Sequence, residues 1–499
     1  MTTTRSDGPG GTVPITGVTG GSQGLAATYA AVLALASTYD AAGNRMRVWA
    51  VLGARTLANG DLVESAVLSP LSFGEAEAAV LVATTGPDGI LVESLGWETD
   101  AILIRVTVRV FQETDDLVHA TFEVVDYLVG RTLGLTLTAS LPALLTAGVT
   151  VGPLAYLVWQ QLPPAVQQQL RDDGAGAGDA LQDWLADHPE LLQHLVNGGG
   201  GLLDGLWDGA TPGLPGGPFG IPSLTPDTES AAGLLAALYG DDAGFTVHGT
   251  DLSTAAGGTQ PGSLADLIAH LDQTNGLSDG LHPEHNGTVE IQTIDDGHGH
   301  VRHIVYLPGT DDMTTLPWTQ DGDVRDMATN LQLIHGQDNA YLQGILQAMH
   351  EAGIRPGDPV LLAGHSQGGM EAAAILSSGG DYHVTNVVTA GSPTAQVHGF
   401  PPGTHVISLE NHGDVVPLLD GEENPDSPQQ VTVHFDDQGS STGDNHSLTH
   451  YTNGAAAVDA SDDPSIREQL QSLQDNGFLG GGQAGQTVSS QVFQITRHP

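Results

Sequence analysis

The spacing of apolar and polar residues changes character part-way along the chain. Residues 22–60 place Leu25, Tyr29, Val32, Leu33, Leu35 and Tyr39 at helical intervals. Helices are also predicted at 72–83 and 91–130. In the second of these, WETDAILIRVTVRVFQETDDLVHATFEVVDYLVG mixes apolar and charged positions without strict alternation, which favours a long amphipathic helix over strands. A further amphipathic helix is predicted over 179–207, around Leu181, Trp184, Leu185, Leu191, Leu192 and Leu195. Residues 1–207 therefore read as a mainly α domain. The stretch DGATPGLPGGPFGIPSLTPD, residues 208–227, has the proline and glycine density of a linker.

Beyond the linker, short apolar runs alternate with helical patterns. Helices are predicted at 229–240 and 262–273. They are followed by a strand at 287–294, a tight DDGHGH turn and a strand at 301–307. A helix over 324–352, a strand at 359–363, a helix at 367–378, strands at 384–390 and 404–409, and QQVTVHF ending near Phe435 complete the pattern. Such alternation predicts an α/β domain over 228–475 with a largely parallel central sheet. The tail, 476–499, is rich in glycine and glutamine and carries a possible last strand at 491–496. No internal repeat is evident.

Composition narrows the function classes. Thirteen arginines, no lysine and 59 acidic residues among 499 give a net charge of −46. That balance argues against nucleic acid or an anionic surface as partner. The missing lysine excludes Schiff-base chemistry, a P-loop and a Tyr-x-x-x-Lys dehydrogenase dyad, and the absence of cysteine excludes thiolate chemistry. The opening MTTTRSDGPGGTVPITG lacks the basic and apolar regions of a standard secretory signal. The expectation is a cytoplasmic protein, or one exported by a non-classical route. Residues 132–170 carry no formal charge and are long enough to span a bilayer. Pro142, Pro153 and several threonines favour a buried helical hairpin instead, with membrane contact as the alternative.

The pattern G-x-S-x-G occurs around Ser22, Ser278, Ser366 and Ser441, and with 67 glycines chance matches are expected. A nucleophile elbow requires a strand, a sharp turn and a helix. Only DPVLLAGHSQGGMEAAAILSS around Ser366 has that context; Ser278 and Ser441 lie in polar loops. GVTGGSQGLAAT, lacking a convincing strand before it, reads as the entry to the first helix with Ser22 as its N-cap. A nucleophilic serine needs a base, and an acid that orients the base. SLENHGDVVPLLDG supplies Asp414, with Glu410 as rival, and GDNHSLTHYTNG supplies His446 and His450. His298, His300 and His303 beside Asp295 and Asp296 are better read as a hairpin turn than as a metal site. Asp311 and Asp312, beside the turn after the 301–307 strand, are expected to point away from it or cap the next segment. Trp318 is a residue that either lines a substrate cleft or packs.

VYLPGT, GHSQGG, GDVVP and HSLTHY, taken together, resemble the α/β-hydrolase superfamily, closest to its class 3 lipase-like branch. The resemblance covers about residues 285–455. It implies Ser366 as nucleophile, Asp414 as acid, His446 as base, and the backbone amides of Thr310 and Gln367 as the oxyanion hole. Members of that branch have the histidine shortly before a tyrosine. His446 and His450, five and one residues before Tyr451, both depart from this. His446 is preferred because H-S-L opening a helix leaves its ring on the loop side. The helical first half, through GWETD and FQETD, weakly resembles actinobacterial hydrolases linked to type VII secretion. The expected function is carboxylic-ester hydrolysis of a small-molecule or lipid substrate, without cofactor or metal. The alternatives are a thioesterase or peptidase with the same residues, and an interaction module on a vestigial hydrolase fold.

Overall fold

The computed structural model describes residues 13–109 and 228–498 with short gaps, together with residue 131 and a few positions between 196 and 201. The 132–170 hairpin, most of the 179–207 helix and the 208–227 linker lie outside the described residues. Two compact units are formed, residues 25–120 and residues 1–24 with 121–499. The smaller is helical: α1 (Leu25–Leu57), α2 (Pro70–Thr85) and further helical residues at 90–97 and 99–109. Tyr39 packs on Trp97 with ring centroids 5.0 Å apart, and Arg105 pairs with Asp40 at 2.5 Å. No helix among the described residues is long and apolar enough to cross a membrane.

The larger unit opens with a strand, β1 (Ile15–Gly20), which the sequence pattern did not predict. Its apolar residues alternate imperfectly, and its pairing partner, the strand Gln430–Phe435, is over 400 residues away. Ser22 therefore sits in a 3-10 turn (Gly21–Gln23) after a strand, and α1 begins at Leu25. The expected N-cap reading is corrected accordingly. In chain order there follow α3 (Thr228–Ala236), β2 (Phe245–Gly249), α4 (Leu264–Asn275), β3 (Thr288–Asp295), β4 (Val301–Leu307), α5 (Met327–Ile334) and α6 (Ala340–Glu351). Next come β5 (Pro359–His365), α7 (Gln367–Ser378), β6 (His383–Ala390), β7 (His405–Asn411), β8 (Gln430–Phe435), α8 (Leu448–Asp459), α9 (Pro464–Asp475) and β9 (Thr487–Arg497).

Apolar spacing alone predicts one helix over 324–352, because it runs on through the interruption. The chain instead breaks at Gly336, with φ of 66°, and restarts where the Asn339 side chain accepts from Leu342 N–H at 2.8 Å. β2 is an exposed edge strand, and the tail strand β9 is longer than expected and lies inside the sheet between β3 and β2.

The sheet is mixed, in the order β1-β8-β7-β6-β5-β4-β3-β9-β2. Strands β4 to β8 are mutually parallel, and the outer pairings are antiparallel. The central strands are buried on both faces. In β5, Leu361 and Ala363 join the core beneath α4, α8 and α9, while Val360 and Leu362 join that beneath α6 and α7. This accounts for strands that read as continuous apolar runs rather than alternating ones. The parallel register aligns Leu307 with Gly364, Gly364 with Thr389 and Thr389 with Ser408, so these strands end along a common edge.

Candidate active site

At that edge, Thr310 follows β4, Ser366 follows β5, Asp414 follows β7 and His446 follows β8. Loops after the carboxyl ends of parallel strands are the usual location of α/β sites, because the helices that return the chain leave a crevice there.

Ser366 has φ 53° and ψ −122°. Among the described residues, only it and Gln438 are non-glycine residues with positive φ. Such a conformation costs about 1–3 kcal/mol and persists only where its surroundings enforce it. Here Ser366 N–H donates to Ala390 O at 2.9 Å, and Ser366 O accepts from Gly369 N–H at 3.0 Å. The turn is also very tight. A Cβ on Gly364 would lie 2.2 Å from Gly368 O, and one on Gly368 would lie 1.9 Å from Leu307 O. The glycines of G-x-S-x-G are thus needed for the close approach of strand, turn and helix. Ser22 also lies between a strand and a helix, but it does not share the positive φ of Ser366, and the remaining two matches have no such setting. Ser278 bonds Asp311 and Arg325, and Ser441 Oγ accepts from Asp444 N–H at the single helical turn Thr442–Asn445.

Asp414 and His446 are joined, with Nδ1 to Oδ2 at 2.7 Å. Asp414 is fully shielded, whereas His446 remains partly exposed. The carboxylate also accepts from Val416 N–H at 2.9 Å and from the Tyr451 hydroxyl at 2.6 Å. Burial, and then the charge of Asp414, push the Tyr451 phenol well above its ordinary range, so it stays a donor. Glu410 is placed elsewhere. It accepts from Asn424 Nδ2 at 2.7 Å and lies 3.3 Å from His434. Burial, and then the charges of Asp420, Glu423 and Asp414, push its carboxyl up to about 8. A carboxyl held protonated at neutral pH is a poor partner for an imidazolium. His450 bonds Asp437 at 2.6 Å and lies 3.4 Å from Asp444, away from Asp414.

Two contacts bring the Asp414–His446 pair toward the elbow. His365 Nε2 is 2.9 Å from the carbonyl oxygen of His446, and the two imidazoles are 4.5 Å apart. Burial, and then the neighbouring His446, hold His365 well below the usual histidine range, so it is neutral and donates through Nε2. Gly391, next to the Ala390 that accepts from Ser366, has φ 61°. A Cβ there would meet Tyr451 Oη at 2.9 Å and both Asp414 Oδ2 and His446 Nδ1 at 3.0 Å.

The turn carrying Thr310 abuts the serine, since a Cβ on Gly309 would lie 3.0 Å from Ser366 Cβ. Gln367 is buried, and its Nε2 donates to Asp326 O at 2.8 Å and to Asn330 Oδ1 at 2.9 Å. Asn330 Nδ2 in turn donates to Thr310 Oγ1 at 3.1 Å. Asn330, on α5, thereby ties together the two residues whose amides the motif comparison put in the oxyanion hole. Asp326 is itself held by the buried Arg497 of β9 at 2.7 Å.

Asp311 turns to the buried Arg325, and Asp312 bonds Thr314 and Thr315. In the hairpin, His300 bonds Asp296 at 2.7 Å and His303 bonds Thr293 at 3.1 Å, so these histidines serve the turn and the strands separately. Trp318 is 79% exposed. Sequence reasoning missed Gly391, His365, Asn330 and the hydroxyl of Tyr451 as parts of this site. Tyr451 and His365 carried a signal, their places in HSLTHY and GHSQGG; Gly391 and Asn330 acquire a role by lying beside residues distant in sequence. No protein-family model, no curated protein and no solved structure matches this chain.

Proposed function

We propose that this protein is a serine hydrolase of carboxylic esters, built on an α/β-hydrolase-type sheet. The observation that carries the reading is the strained Ser366 elbow at the same sheet edge as the hydrogen-bonded Asp414–His446 pair. Strain at a non-glycine residue is a cost that a purely structural turn has no reason to retain.

With Nδ1 engaged by Asp414, Nε2 of His446 is the ring nitrogen left to act on the serine in this reading. His446 takes the Ser366 proton as Oγ attacks the acyl carbon, and Asp414 stabilises the imidazolium. The developing oxyanion is held by the amides of Thr310 and Gln367, each such donor being worth about 3–4 kcal/mol. His446 then returns the proton to the leaving alcohol, and the acyl-enzyme forms. Water, deprotonated by His446, attacks the acyl carbon; the released Ser366 oxygen recovers its proton, and the carboxylic acid leaves.

A fluorophosphonate probe tests the reading directly. Wild type is expected to label covalently at Ser366, with p-nitrophenyl ester hydrolysis lost in parallel. S366A is expected to do neither. Equal labelling of the two proteins, or none in wild type, overturns the proposal.

A further inference from the structure

We propose that His282, Glu284 and His285 form a binding site for a divalent transition-metal ion of the zinc class. One ring nitrogen from each histidine and one carboxylate oxygen lie within 4.8 Å of one another. Two imidazoles and a carboxylate are a donor set that zinc favours, with water completing the shell. Oxygen-seeking calcium and magnesium are poorly served by it.

The three donors sit on one short turn, Pro283–His285 with His282 before it, and that turn is held from several sides. His285 N–H donates to His282 O at 2.9 Å, and Asn286 N–H to Pro283 O at 3.2 Å. Gln494 of β9 donates to Glu284 O at 2.7 Å and to Asn286 O at 2.9 Å. Asn286 Nδ2 donates to Asp323 at 2.9 Å, and Gly287 N–H to Asp311 at 3.0 Å. The backbone of the turn is thus fixed before any ligand arrives, which reduces the ordering cost of binding.

A second, independent feature concerns the ring of His285. Its Nδ1 lies 3.1 Å from the carbonyl oxygen of Leu277 and so carries the proton, leaving Nε2 as a free lone pair. A ring N–H donated to a carbonyl is how ligating histidines are commonly oriented. A chain of net charge −46 adds a field that draws cations. The site takes no part in the ester chemistry proposed above. The ion would clamp the connection between α4 and β3, whose next residues reach Asp311 and Asp323. The sequence drew attention to His298, His300 and His303; the fold instead converges HPEH, which in the sequence reads as part of a polar loop.

Calorimetric titration of the full chain, without a histidine tag, with Zn²⁺ tests this. Wild type is expected to bind one Zn²⁺ per chain saturably, and its Tm to rise with the metal. H282A/H285A should lose both effects, and E284Q should bind about tenfold more weakly or worse. H298A/H300A should retain both, and Mg²⁺ should produce neither in wild type. The substituted side chains are on an exposed turn, and circular dichroism checks that each variant is folded. Absence of saturable Zn²⁺ binding by wild type overturns the proposal, as does binding that survives H282A/H285A or disappears in H298A/H300A.

Discussion

Gly391→Ala is the substitution that most sharply tests the site geometry. The new methyl would stand 3.0 Å from both atoms of the Asp414–His446 hydrogen bond and 2.9 Å from Tyr451 Oη. An ordinary contact needs roughly 0.5–1 Å more, by the ~3.5–4.0 Å separation at which such atoms pack. The backbone cannot retreat easily, because Gly391 N–H is held by Leu409 O at 3.0 Å within the sheet. The pair must therefore give way. Two costs add: about 1–2 kcal/mol for an L residue at positive φ, and about 1–3 kcal/mol for overpacking. A natural control separates them. Gly379, at the far end of α7, has φ 63° and nothing within 4 Å of its would-be Cβ. Gly379→Ala should pay the conformational cost alone, with an unchanged labelling rate. Gly391→Ala should lose more stability and slow the chemistry about tenfold to a hundredfold, given that 1 Å of misplacement costs about a hundredfold. Thermal denaturation and the rate of fluorophosphonate labelling measure the two effects. If Gly391→Ala labels at the wild-type rate and melts with Gly379→Ala, the placement of the acid–base pair against Gly391 is wrong.

Three further predictions concern the same edge of the sheet. D414N should lower kcat by about 10⁴, the size of effect expected when a catalytic imidazole loses its orienting acid, and H446A, which removes the imidazole itself, by about 10⁶, while E410Q and H450A stay within about tenfold of wild type; ester hydrolysis by the four variants decides, and the reverse ranking refutes the assignment. N330A should lower kcat about tenfold to a hundredfold with KM little changed, because Asn330 acts through Thr310 and Gln367 on a charge that develops only in the transition state; a pure KM effect would contradict that role. Glu410 and Asp420 are pushed up to about 8 and about 7, chiefly by burial. The folded chain then holds protons that the unfolded chain has released, so each group's contribution to stability falls as pH rises from the ordinary carboxylate range toward those values, by up to about 1.4 kcal/mol per pH unit. E410Q should lose its share of that decline in melts between about pH 5 and about pH 8, and identical pH profiles for E410Q and wild type would refute it.

Much of the architecture was legible because its determinants are local. Helix α7 and strands β3 to β8 follow from apolar runs bounded by turn residues, and the Ser366 elbow from a strand, two glycines and a small-residue helix. β1 and β2 were not legible, since edge strands draw their stability from partners remote in sequence and carry little pattern of their own, and the full length of β9 depends on pairing with β3, about 200 residues earlier. The Gly336 break was masked by an apolar spacing that continues across it.

By itself, then, the sequence determined the alternation of strands and helices, the excluded chemistries and a short set of polar residues after the strands. It left Asp414 against Glu410 and His446 against His450 open, because spacing along the chain does not say which carboxyl is ionised or which imidazole it faces. Tertiary structure decided those placements. Burial among like charges neutralises Glu410, Asp437 occupies His450, and the parallel register carries Asp414 and His446 to the edge where β5 delivers Ser366. Long-range packing sets local dielectric and partner geometry, and neither quantity is written in any short stretch of residues.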